Sequence, residues 1–235
     1  MHTSILVLHN VSKKRNFGEL IRTAAAMGVA EIVVVGAQKL QSFGAQGTTS
    51  HMRFSHFRSL GDAVEYMKVT RGMSIAGVEI ASGAQPVQTH PFVGSTAFMM
   101  GNEGQGLTAA QMEACDQLVY IPQHSAATAS MNVNAACAVV LHHFATWAAF
   151  PEHTRDENDP TKYAVGLGGQ HVPRSGVGLK QMRTLLPDGS VAPRRPAADA
   201  AEEEAGAELD DEGGPPWSDA FAEEEPAASR SAEPA

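Results

Sequence analysis

Residues 95–107 read STAFMMGNEGQGL, and residues 118–150 read LVYIPQHSAATASMNVNAACAVVLHHFATWAAF. Each starts as a short apolar run and passes into a loop of glycines or other small residues. The first loop leads into a short polar helix, the second into a long apolar one. Loops of this composition bring backbone N–H and C=O groups close to a ligand. A small molecule with many hydrogen-bonding edges can be read there without charged side chains. The two loops form the expected cofactor site, and the upstream chain supplies the sheet beneath it.

Outward from these loops, strands alternate with helices. Residues 4–9 (SILVLH), 31–35, 53–57, 73–78, 97–100 and 118–121 are short and apolar or β-branched, and predict strands. Helical periodicity covers residues 17–27, 60–69, 108–115 and 132–150. Gly28 sits where a helix C-cap glycine would, and Thr108 followed by Gln111 is a capping box. Residues 10–16 (NVSKKRN) and 41–52 read as loops. The alternation predicts an α/β fold with a mostly parallel sheet flanked by helices.

Charge divides the chain. Residues 1–150 hold nine Lys+Arg and eight Asp+Glu, a net of +1; residues 151–235 hold eight and eighteen, a net of −10. We read residues 1–150 as one domain, 151–187 as a partly ordered extension, and 188–235 as a disordered acidic tail too poor in apolar side chains to fold. A near-neutral domain does not advertise nucleic-acid binding by net charge, so such binding rests on a local patch. Cys115 and Cys137 lack metal-ligand spacing and fit a reducing, intracellular compartment, the cytoplasm first. No secretory signal opens the chain. Residues 133–150 approach the length of a membrane span, but His142 and His143 interrupt them, so we expect a buried helix and no membrane. Those adjacent histidines point some 100° apart on a helix, so no metal is expected.

The loops have plain readings beside the functional one. Gly101–Gly106 lacks the spacing of a dinucleotide or P-loop motif. Glu103 within it suits a cation or amine better than a phosphate. Ser130 or Asn132 would cap the last helix. Arg22 could snorkel from its helix, and Lys13, Lys14 and Arg15 could be an ordinary solvated loop.

Three motifs in order resemble the SpoU–TrmH group of SPOUT RNA methyltransferases: Asn16-x-Gly18-x-x-x-Arg22, then Gly101-Asn-Glu-Gly-Gln-Gly-Leu107, then Ile121-Pro122 followed by Ser130-Met131-Asn132-Val133. The resemblance covers about residues 4–149. The family's usual Asn-Pro is Lys13-Lys14 here, and its usual Leu after the serine is Met131, a volume-conserving change. The resemblance implies a C-terminal deep trefoil knot, S-adenosylmethionine bound by the knot loops, and a homodimer whose active site draws on both subunits. It also implies methyl transfer to a ribose 2′-hydroxyl of tRNA or rRNA. A first strand this early resembles the minimal form of the family, which relies on the dimer surface for RNA. Carried onto this chain, the catalytic set is Arg22, Asn16, Glu103, Ser130 and Asn132. The cofactor set is Met100, Gly101, Glu103, Gly104, Ile121, Pro122, Ser130, Met131 and Asn132, and the RNA set is Lys13, Lys14, Arg15 and Arg22. Two other readings compete: a catalytically silent RNA-binding or assembly protein of the same fold, and an unknotted nucleotide-binding α/β protein.

Overall fold

The apolar runs become strands that pair side by side. The structure, a computed structural model, describes residues 1–9, 14–36, 39–40, 48–102, 104–128, 130–156, 159–163, 180–181 and 184–192. Met1–Ala192 form one unit, and residues 193–235 lie outside the described residues. The elements run β1 (Ser4–His9), α1 (Lys14–Ala26), β2 (Glu31–Val35), β3 (Lys39–Leu40), β4 (Phe54–Phe57), α2 (Leu60–Glu65), β5 (Ser74–Val78), β6 (Gln85–Pro86), β7 (Thr96–Met100), α3 (Ala109–Ala114), β8 (Gln117–Tyr120) and α4 (Val133–Trp147). Seven strands form one sheet in the order β4-β2-β1-β7-β5-β8-β6, and every pairing in it is parallel.

Parallel strands are buried on both faces, so their side chains alternate between two cores rather than between core and water. Leu6 and Leu8 of β1 join Phe98 and Met100 of β7 on the face covered by α1 and α4. Ile5, Val7, Ala97 and Met99 point the other way, toward Ala63, Tyr66 and Met67. Phe144 of α4 meets Phe92 and Phe98 edge-on, each at 5.3 Å between ring centres.

Two expectations change. The first helix begins at Lys14, three residues earlier than its apolar periodicity indicated. Its first turn is polar and basic, which hides it from a search for hydrophobic period. The helix expected over residues 60–69 is α-helical only to Glu65 and then widens into a π-turn over Tyr66–Thr70. The last helix is capped by Asn132, whose side chain accepts from the amides of Asn134 and Ala135. No helix among the described residues is long and apolar enough to cross a membrane.

Tyr66 helps to hold a buried charge. Glu31, at the start of β2, is fully buried. Tyr66 donates its hydroxyl to both carboxylate oxygens at 3.1 and 3.2 Å, while Ser55 and Arg71 also donate to it. A buried carboxylate stays ionised only with such partners. Arg71→Ala should cost about 2–3 kcal/mol, below the usual penalty for breaking a buried pair, because the arginine is partly exposed and the two hydroxyls remain. Urea unfolding measures it; a loss under about 0.5 kcal/mol would mean the hydroxyls suffice.

A turn from the C-terminal extension closes the β4 edge. The Leu185 amide donates to the His56 carbonyl at 2.7 Å, and Ala192 bonds back to Thr184 at 2.9 Å. His56 is fully buried. Its Nε2 lies 2.8 Å from the Gly36 carbonyl, which can only accept, so Nε2 carries the proton and Nδ1 accepts from the Thr184 hydroxyl at 3.0 Å. An uncovered edge strand invites pairing with another chain. Residues 188–192 take part in this turn. Removing residues 193–235 should leave the melting temperature within about 1 °C, whereas removing 184–235 should lower it by several degrees, as expected for about 1–2 kcal/mol. Equal melting of the two shortened chains would show that the turn adds nothing.

Candidate functional site

In a parallel sheet all strands end at the same edge, and ligands bind beyond their carboxyl ends. Here β5, β7 and β8 end together at Val78, Met100 and Tyr120 around a cleft of about 320 Å³. That volume suits a small-molecule site.

One wall is the glycine loop after β7. Gly101 is buried, and a Cβ there would fall 2.5 Å from the carbonyl carbon of Gly106 and 2.7 Å from the amide nitrogen of Leu107. The loop closes on itself, with Asn102 and Gly106 exchanging two backbone hydrogen bonds of 2.9 Å. The Asn102 side chain accepts from the amides of Gly104 and Gln105 at 2.8 and 3.2 Å. Leu107 is buried, so the loop is fixed at its far end as well.

The opposite wall comes from the loop after β8 and the start of α4. Ile121, Gln123, Ser130, Met131, Val133 and Ala136 line it. Below it, the Asn132 side-chain amide donates to Oδ1 of Asn16 at 3.3 Å, and Thr23 donates to Asn134 at 2.7 Å. These bonds tie α1 to the N-terminus of α4.

Six expected cofactor residues line the cleft: Met100, Gly101, Gly104, Ile121, Ser130 and Met131. Pro122 and Asn132 neighbour the lining without joining it; Asn132 serves as the helix cap. Asn16 is only 6% exposed and meets Asn132 rather than the cleft. Arg22 is exposed on α1 and is absent from the lining. Lys14 and Arg15 fall in the first turn of α1 rather than in a loop. Glu103 and Lys13 lie outside the described residues.

Sequence reading missed the strand-end contributions of Val78, Glu79 and Ile80, and also Tyr120 and Gln123. The position of Glu79 directly after an apolar strand was the available signal. Its Oε2 accepts the Leu107 amide at 2.8 Å. Among the described lining residues Glu79 alone carries a charge, and none is basic. Such a wall repels polyphosphates and accepts a neutral or cationic ligand. Peptide groups at close range fit the hydrogen-bonding edges of an adenosine, and both oxygens of Glu79 are already taken by the amides of Ile80 and Leu107.

Elsewhere, His143 approaches His90 at 3.0 Å, and burial together with His90 and His142 lowers its pKa. No three His, Cys, Asp or Glu side chains among the described residues form a group able to hold a metal.

The model of the SpoU rRNA Methylase family matches residues 3–142. The 23S rRNA (guanosine-2′-O-)-methyltransferase RlmB of Acinetobacter baylyi is 32% identical over 147 residues, covering 59% of this chain and 57% of that protein. The tRNA (guanosine(18)-2′-O)-methyltransferase of Escherichia coli is 30% identical over 138 residues, covering 57% and 59% respectively. The chain thus spans less than two thirds of the length of these relatives. The crystal structure of the SpoU methyltransferase AviRb from Streptomyces viridochromogenes, in complex with AdoMet, shares the fold with a TM-score of 0.57. It is 22% identical and covers 64% of this chain and 59% of that one. With the matched region spanning both loops and every strand of the main sheet, the chain belongs to the SpoU rRNA Methylase family.

Proposed function

We propose that this chain is an S-adenosylmethionine-dependent methyltransferase acting on a ribose 2′-hydroxyl of tRNA or rRNA. The cleft carries the reading: it lies where the glycine loop after β7 and the loop before α4 meet beyond the strand ends, and no basic side chain stands among its described lining. Membership of a family whose relatives are named rRNA and tRNA 2′-O-methyltransferases adds the reaction class.

When bound, S-adenosylmethionine supplies a methyl group on a positively charged sulfur. Backbone groups around Met100, Gly101, Ile121 and Met131 would hold its adenosine, with Gly104 and Ser130 completing the wall. Glu103 and Asn132 complete the polar site, and Asn16 acts through Asn132 by fixing the second loop. A ribose hydroxyl is a poor nucleophile until its proton leaves. Arg22 cannot take that proton, since a guanidinium has donors only and no acceptor. In this reading Arg22 grips an RNA phosphate, which accepts the proton, and Lys13, Lys14 and Arg15 are further RNA-binding residues. Because Arg22 is exposed and outside the lining of its own chain, a homodimer that brings it to a partner's cleft accounts for its place. A mainly apolar interface using α4 and the knotted passage of the chain into α4 belong to the same reading. So does an intracellular location.

Calorimetry on the full chain tests the cofactor reading. S-adenosylmethionine should bind with micromolar affinity, and NAD and ATP should not. Binding of NAD or ATP in its place would overturn the proposal. Light scattering at micromolar concentration should give a dimer mass; a monomer would contradict the shared site.

A further inference from the structure

We infer that Glu79 is a positioning residue that clamps the glycine loop into its ligand-binding shape, an assignment that rests on the methyltransferase reading of the cleft. Three observations point to it. Glu79 sits immediately after β5 and lines the cleft. Its two carboxylate oxygens are divided between two segments: Oε1 accepts the amide of Ile80 at 2.9 Å, and Oε2 accepts the amide of Leu107 at 2.8 Å. The loop backbone is shaped around it, since Gly106 holds φ +68 and a Cβ there would lie 2.2 Å from Oε2.

The chemistry follows from that geometry. The carboxylate bridges the end of β5 to the far end of the 101–107 loop, which among the described residues has no strand partner of its own beyond the Asn102–Gly106 pair. A charge-assisted bond to a backbone amide is about twice as strong as a neutral one. It therefore holds Leu107, and through it Gly101 and Gly106, in place before a ligand arrives. Pre-ordering of this kind raises affinity by removing the ordering cost from the binding step. An ionised carboxylate offers about four acceptor positions, and two are used here. Glu79 acts on the ligand through the loop, so its contribution is common to any ligand that shares the adenosine.

The test uses Glu79→Ala and Glu79→Gln in the full chain, with calorimetric titration of S-adenosylmethionine and of S-adenosylhomocysteine, which lacks the sulfonium charge. Amide hydrogen exchange at Leu107 and thermal melting are read on the same samples. Glu79→Ala should weaken both ligands equally, by about 10-fold or more, and should speed exchange at Leu107. Glu79→Gln keeps an acceptor oxygen and should recover affinity to within about 3-fold of the unaltered protein. Loss confined to S-adenosylmethionine would make Glu79 a direct charge partner and overturn the clamp. Unchanged affinity in Glu79→Ala would overturn it as well, and so would slower melting-independent exchange at Leu107. Failure of the unaltered protein to bind either ligand would instead sink the methyltransferase reading on which the inference rests.

Discussion

Arg22→Ala should leave S-adenosylmethionine affinity within a few-fold and lower methyl transfer by roughly 100-fold or more, the scale of losing a group that acts on the reacting proton or charge. The two halves of this expectation come from separate observations. Arg22 is exposed on α1, and the described cleft lining comes from residues 78–80, 100–102, 104–106, 120, 121, 123, 130, 131, 133 and 136. No residue that lines the cleft is removed. The transfer step loses the group assigned to the RNA phosphate. Arg22→Lys should recover only part of the rate, because an ammonium is a point charge and cannot give the planar two-point grip of a guanidinium. Single-turnover transfer to RNA with calorimetry on the same samples reads both quantities. Full transfer by Arg22→Ala would remove the arginine from the mechanism; lost cofactor binding would place it in the cleft.

Gly101→Ala should have the opposite signature, weakening cofactor binding by about 100-fold rather than lowering transfer alone. A methyl group at Gly101 meets the backbone of Gly106 at 2.5 and 2.8 Å and that of Leu107 at 2.7 Å. No rotamer relieves a contact with main chain, so the loop must open. Opening breaks the Asn102–Gly106 hydrogen bonds and draws Leu107 out of its buried site, a rearrangement of the size that overpacking costs, about 1–3 kcal/mol. A loss of about 100-fold in affinity corresponds to roughly 2.7 kcal/mol. Gly104 provides the control within the same loop. It is exposed, and among the described residues an added Cβ there meets only Asn102 Oδ1, at 3.6 Å, so Gly104→Ala should bind within a few-fold of the unaltered protein. Equal binding by the two alanine variants would show that the loop does not hold the ligand.

These cases also separate what could be read from sequence from what could not. The sheet was legible because fully buried parallel strands leave continuous apolar runs, and six such runs matched strands of the main sheet. The Thr108–Gln111 capping box was legible because both its bonds are local, and both are present. The sheet order was not legible: β1 lies between β2 and β7, and the pairing of Ile5 with Ala97 leaves no trace in local pattern. The site was legible where small residues follow a strand, as at Gly101 and Ser130. It was hidden at Glu79, whose function depends on an amide 28 residues away. Asn16 was expected in the site from its motif, and its bond to Asn132, 116 residues further along, could not be seen in local pattern. The turn at 184–192 was hidden because polar residues there pair with an edge strand formed far earlier in the chain.

The central claim is that this cleft delivers a methyl group to a ribose oxygen of RNA. Its most direct measurement is transfer of isotope-labelled methyl from S-adenosylmethionine to fractionated cellular tRNA and rRNA by the full chain, followed by digestion to nucleosides. The label should appear in one RNA fraction as a 2′-O-methylnucleoside. Label on a base, or no transfer to any fraction by protein that binds the cofactor, would contradict it.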